Sequence, residues 1–256
     1  IGFVTPKDPR IMALGGAFTA TGTGYQSLYG NPAGFASSSG EFTLLSVIPW
    51  VYVSPTQENI QTITMAIDGQ DDQLLSRLAP LITENGIGAG ASIGLGWVGK
   101  GLGLGVLGGA EAYLRGRNAL GAVGTMGGQI EAVVGVGFPL SLFGATLSVG
   151  GDLRPFMRVT GPISAIQLAA LMNGGDMAEI LGDTPVYLGF GLAVDLGARM
   201  DFGRFLSVGL SIRDITTKQS YSQYRVADLP DAIAGNTSSS VSADYSILPV
   251  ITAGAT

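Results

Sequence analysis

Residues 186–202 read VYLGFGLAVDLGARMDF, and every even position is apolar while the odd positions carry Tyr187, Gly189, Gly191, Ala193, Asp195, Gly197, Arg199 and Asp201. Successive side chains of a strand point to opposite faces, so this stretch is a strand with one oily face and one small, partly charged face. It is also far longer than the strand of about 5–6 residues usual in globular domains.

Composition says where such a strand belongs. Of 256 residues only 12% are charged, 46% are hydrophobic and 41 are Gly. A soluble domain of this size carries about 25% charged residues, so much of the usual solvating surface is missing. No window reaches the roughly 18 consecutive apolar residues of a transmembrane helix. High hydropathy without helical spans predicts hydrophobicity dispersed in alternation, as in a membrane β-barrel. A net charge of -6 argues against nucleic acid as a partner. The absence of Cys and His excludes thiol chemistry, Cys/His zinc sites and His-based triads. The chain opens without a charged-then-apolar leader, so Ile1 is expected to be a mature N-terminus or a fragment boundary.

The alternation recurs. In residues 87–97 the oily face is Ile87, Ala89, Ala91, Ile93, Leu95 and Trp97; after GKG the parity switches to Leu102, Leu104, Val106, Gly108, Ala110, Ala112 and Leu114. Met126, Ile130, Ala132, Val134, Val136 and Phe138 oppose Thr125, Gln129 and Glu131, and Leu147, Val149, Leu153, Met157 and Val159 oppose Ser148, Asp152, Arg154 and Arg158. Leu206, Val208, Leu210 and Ile212 face away from Ser207, Gly209, Ser211 and Arg213. The non-lipid face thus collects Glu111, Arg115, Glu131, Asp152, Arg154, Arg158, Asp195, Arg199, Asp201 and Arg213. Two readings stand: mutual pairing that holds the wall to whatever lies inside, or arginines that receive a ligand carboxylate.

Connections alternate between long (53–87, 160–185, 214–246) and short (99–101, 139–144, 202–204), with residues 115–121 intermediate, as in a barrel with tight turns at one rim and long loops at the other. Two long segments read as helical. Residues 55–86 place Ile60, Ile63 and Ile67, then Leu74, Leu75, Leu78 and Leu81, at helical spacing; residues 161–185 do so with Ile163, Ile166, Leu168, Leu171 and Met172, then Met177, Ile180 and Leu181. Such helices either pack on the barrel rim or, through Ile163, Leu171, Met172 and Met177, form an apolar port for a greasy ligand.

Residues 1–40 carry no sustained alternation, yet Ile11, Met12, Leu14, Phe18 and Phe35 make them too apolar for a solvated tail. Such a segment suits a plug inside a barrel. Gly15, Gly16, Ala17 and Phe18 followed by Asn31, Pro32, Ala33 and Gly34 resemble the opening of the FadL-type outer-membrane transporters of long-chain fatty acids and aromatic hydrocarbons, and of the related PorV-like barrels. Gly2 and Phe3 are similar to the start of the mature FadL-type chain. The resemblance implies an all-β fold: a monomeric transmembrane antiparallel β-barrel of about fourteen strands with an N-terminal hatch in its lumen. It also implies that Asn31, Pro32 and Ala33 shape the hatch and that Phe3, with Phe18 in the same candidate set, lies near an internal ligand. The other reading of Asn31 and Pro32 is a purely structural turn.

About eight strands are legible against about fourteen, and an eight-stranded barrel has no room for a plug of some forty residues. The chain is therefore expected to lack C-terminal strands. The domains expected are a hatch over residues 1–40 and a barrel over 41–256. The function expected is outer-membrane transport of hydrophobic small molecules such as fatty acids in a two-membrane bacterium, with outer-membrane lipid around the wall. Neither a cofactor, a metal nor catalysis is expected. A PorV-like accessory of protein secretion or assembly is the alternative, and a soluble β-sandwich is disfavoured by the poorly charged Gly-rich face. A transporter should hold an apolar pocket between hatch and wall, whereas an accessory should have a filled core.

Overall fold

The computed structural model describes residues 7–14, 18–52, 61, 86–116, 121–142, 144–172, 175–203, 205–239 and 241–256. One antiparallel sheet dominates these residues: β1 (Glu41–Tyr52), β2 (Ile87–Gly99), β3 (Leu102–Arg115), β4 (Val123–Leu142), β5 (Ala145–Ser164), β6 (Pro185–Phe202), β7 (Leu206–Arg225), β8 (Ser242–Ser246) and β9 (Val250–Ala255). Each strand from β1 to β7 pairs with the next in sequence, and β9 pairs with β7. β8 lies beside residues 218–222 of β7 and β9 beside residues 208–213. Among the described residues no ladder joins β1 to β8 or β9, so the sheet has two edges.

The alternation becomes an inside and an outside. On β6 the side chain of Leu196 is 50% exposed whereas Asp195 is 3% exposed, and on β4 Phe138 is 58% exposed whereas Glu131 is 3% exposed. Soluble proteins distribute these residue types the other way. The polar face is covered by the N-terminal segment: Tyr25, Leu28, Tyr29 and Phe35 pack with Val98, Leu107 and Val133 of the sheet to form the buried core. The Tyr25 and Tyr29 rings meet edge to face at 5.6 Å. Complete burial of Phe35 contributes about 2–3 kcal/mol.

Several strands run beyond the sequence reading: β4 continues through residues 139–142, expected to belong to a short connection, and pairs Leu142 with Ala145, because the ladder to β5 closes in a tighter turn than the Pro139 signal suggests. Residues 214–246 were expected to form a long connection after Arg213, yet β7 continues to Arg225 before a short helix at Leu229–Ile233. The outward positions of that extension are Lys218, Ser220 and Ser222, so apolar alternation is lost while the backbone ladder to β6 continues. A bulge marks the change, with the register shifting on both sides of Val194 and Asp214 at φ 59°. β5 likewise runs to Ser164 before α-helices at Ala165–Met172 and Met177–Leu181, in the segment expected to be helical. The other segment expected to be helical, residues 55–86, lies almost wholly outside the described residues. Among the described residues no helix is long and apolar enough to cross a membrane, which says nothing of strands.

Candidate functional site

The N-terminal segment is held by its own caps and by the polar face of the sheet. Asp8 caps the helix Pro9–Ala13, its Oδ1 accepting from the Arg10 and Ile11 amides at 2.9 and 3.1 Å. Asn31 caps the short 3-10 turn Pro32–Ala36 by accepting from the Ala33 amide at 3.0 Å, and its Nδ2 donates to the Thr19 carbonyl at 2.6 Å and the Ala198 carbonyl at 3.4 Å. Glycines beneath it give the room: a β carbon on Gly150 would stand 2.2 Å from the Pro32 carbonyl oxygen, and one on Gly103 would strike the Phe35 ring at 2.5 Å. From β7, Ser211 Oγ donates to the Gly30 carbonyl at 2.6 Å and Arg213 to the Tyr29 carbonyl at 2.8 Å. From β6, Arg199 donates to the Gly22 carbonyl at 3.3 Å while pairing with Asp201 at 2.8 Å.

Beside this seat lies a buried charge cluster. Arg154 reaches Glu131 at 3.3 Å, Asp195 at 3.0 Å and Asp214 at 3.1 Å. Arg213 also pairs with Asp195, whose Oδ1 accepts from the Asp214 amide at 2.7 Å, tying the bulge of β7 to β6. Gln129 donates to Glu131 at 2.6 Å and accepts from Arg158, which lies over the Phe156 ring. Asp152 sits directly across from Asp195, a like-charge pair that the neighbouring arginines offset. Arg154 and Arg213 thus pair with protein carboxylates and carbonyls, while Arg154 Nε finds no hydrogen-bond partner among the described residues.

A third feature occupies the β1–β3 side. Lys7 Nζ lies 4.3 Å from the Trp50 ring centroid, 4.7 Å from that of Tyr52 and 2.8 Å from Glu111 Oε2, and the Lys7 amide donates to Ser92 Oγ at 2.6 Å. Burial pulls the Lys7 ammonium down, but the hydrogen bonds and charge of Glu111 and Tyr52 outweigh it and hold Lys7 above the ordinary lysine value. Burial, with the Tyr25 hydroxyl, pushes the Tyr29 phenol up.

The outward face is hollowed at its loop end. Ala89, Ala112, Met126 and Gly161 form one cross-strand row, with Val186 against Gly161, and Ala91, Ala110, Gly128, Val159 and Leu188 form the next. Small residues there leave a groove of about 440 Å³, closed by Ile163 and by Leu181, Val226 and Leu229 from the connecting helices. Its lining is almost entirely apolar.

Several candidate residues from the sequence meet at these places and others do not. Glu131, Asp152, Arg154, Arg158, Asp195 and Arg213 gather around the buried cluster, Arg199 and Asp201 sit under Gly22, and Glu111 holds Lys7. Arg115 is exposed at the end of β3. Asn31, Pro32 and Ala33 are buried against the sheet as a capped turn. Phe18 packs over Gly22 and Gly30 within the segment. Ile163 lines the outward groove. Leu171, Met172 and Met177 lie on the helices after β5, and Phe3 falls outside the described residues. Sequence reasoning missed Lys7, Trp50 and Tyr52; a signal existed in Gly88 and Gly90, whose missing side chains make space for rings from β1. Comparison with protein-family models, curated proteins and solved structures returned no match.

Proposed function

We propose that this chain is the wall and plug of an outer-membrane β-barrel that binds and passes hydrophobic small molecules, fatty acids being the expected class. The observation that carries this reading is the outward face, apolar along β1 to β7 and hollowed at its loop end into an apolar groove continuous with that surface. A bilayer core is the solvent in which exposed Leu, Val and Phe cost nothing, and β1 to β7, of 12 to 20 residues, are longer than the roughly 9–11 needed to cross it. Lipid cannot satisfy an unpaired sheet edge, so the barrel reading requires β1 and the β8/β9 edge to be paired in the membrane. The resemblance of residues 15–18 and 31–34 to FadL-type chains points the same way and names the ligand class.

A second reading, an accessory of protein secretion or assembly, is favoured by one specific observation. Among the described residues packed aromatics, glycines and paired charges fill much of the space between plug and wall, the hollow that remains there, about 290 Å³ beside Arg199 and Asp201, is partly polar, and the larger apolar hollow lies on the outward face. The deciding experiment is mass spectrometry of lipid that copurifies in mild detergent with the wild type and with Ala110→Trp, which fills the groove. Transport predicts bound fatty acid that Ala110→Trp displaces; a lipid-free barrel that carries a defined protein partner supports the accessory reading instead.

A further inference from the structure

We propose that Trp50, Tyr52 and Glu111 form a binding cage for a small organic ammonium ion, whose occupant in this structure is the chain's own Lys7. The cage is built into the sheet register. Trp50 pairs with Gly90 and Gly90 with Glu111, giving one row across β1, β2 and β3; Tyr52, Gly88 and Tyr113 form the next row. A β carbon on Gly90 would stand 2.6 Å from the Trp50 ring, and one on Gly88 would stand 3.1 Å from the Tyr52 ring. Both rings therefore lie over bare backbone and offer their faces to the same point, where Lys7 Nζ sits within 5 Å of each centroid.

The chemistry selects the ligand class. Two ring faces and one carboxylate attract a monovalent cation of low hydration, and the Tyr52 hydroxyl, donating to Glu111 at 3.4 Å, orients that carboxylate. Calcium or magnesium needs about six oxygen ligands, which this cage does not supply. A methylated ammonium sheds water more readily than the primary ammonium of lysine, so it competes for the same seat. Lys7 is thus an intramolecular ligand, and a competing ammonium ion frees this end of the N-terminal segment. The proposal rests on the Lys7 seat and not on the transport reading.

The test uses the full chain in detergent with Trp97→Phe, which leaves Trp50 as the sole tryptophan, since the chain has 2. Tetramethylammonium chloride is titrated against sodium chloride at matched ionic strength while Trp50 fluorescence is followed. Lys7→Gln, which vacates the seat, is expected to bind at least roughly tenfold more tightly than the Lys7 protein, and adding Glu111→Gln is expected to reverse that gain. In the Lys7 protein, saturating tetramethylammonium is expected to speed trypsin cleavage after Arg10 several-fold. Circular dichroism confirms that each variant keeps its sheet, and Lys7→Met serves if Lys7→Gln does not. An unsaturable Trp50 response in both Lys7 variants, or equal affinity with and without Glu111, overturns the proposal.

Discussion

Asn31 Oδ1 occupies the position above Gly197 where a side chain would begin, and a β carbon there would stand 2.0 Å away. The contact joins the N-terminal segment to β6 at the point where Asn31 also caps its own turn.

Gly197→Ala is accordingly expected to displace the turn and destabilise the folded chain by about 2–3 kcal/mol, the cost of overpacking a close contact. Gly128→Ala is the control, because a β carbon there meets only the Gly109 carbonyl oxygen at an ordinary 3.6 Å. Thermal unfolding in detergent should separate the two, and equal stability of both variants would contradict the seating of Asn31.

Asn31→Ala removes a cap and leaves the Ala33 amide without its acceptor inside the segment. The expected loss is about 1–2 kcal/mol. Asn31→Asp keeps the acceptor but loses the donor to Thr19 and Ala198, so it should fall below the wild type in the same assay.

Arg154→Met leaves Glu131 and Asp195 buried without their principal partner, and should cost about 3–5 kcal/mol. Neutralising the carboxylates as well, with Glu131→Gln and Asp195→Asn, is expected to recover a substantial part of that loss. Failure of the triple variant to exceed Arg154→Met would mean that the cluster is not held by charge balance.

The Lys7 contact has a defined pH sense. A lysine held above its ordinary value stabilises the folded state fully at pH below that value, about 10.4, and the stabilisation fades as pH rises through the higher folded value. Protease protection of the N-terminal segment should therefore stay level from neutral pH to about 9 and fall in the alkaline range, with Lys7→Met lacking the Lys7-dependent part of that fall.

How much of this was legible depends on what each residue answers to. The strands of residues 186–202 and 102–115 could be read because each alternates between an exposed apolar face and a face covered by the N-terminal segment, and periodicity records that directly. The extension of β7 to Arg225 could not, since Lys218, Ser220 and Ser222 face outward beyond the apolar stretch and only the ladder to β6 defines the strand. The charged face was legible as a face, but not as the particular arrangement in which Arg154 meets three carboxylates from β4, β6 and the β7 bulge. Pairings across distant strands depend on register, which local pattern does not encode. The Lys7 seat was hidden for the same reason: its partners Trp50, Ser92 and Glu111 come from three strands far from Lys7 in sequence.

The central claim is that the apolar face meets lipid and the charged face is sealed under the N-terminal segment. The chain has no cysteine, so single-cysteine spin labels at Leu104, Phe138, Leu196 and Glu131 can be placed without background. In bilayers the account predicts that labels at Leu104, Phe138 and Leu196 collide more with oxygen than with a water-soluble nickel chelate, while the label at Glu131 is shielded from both. Preferential collision of the three outward labels with the nickel chelate would contradict it.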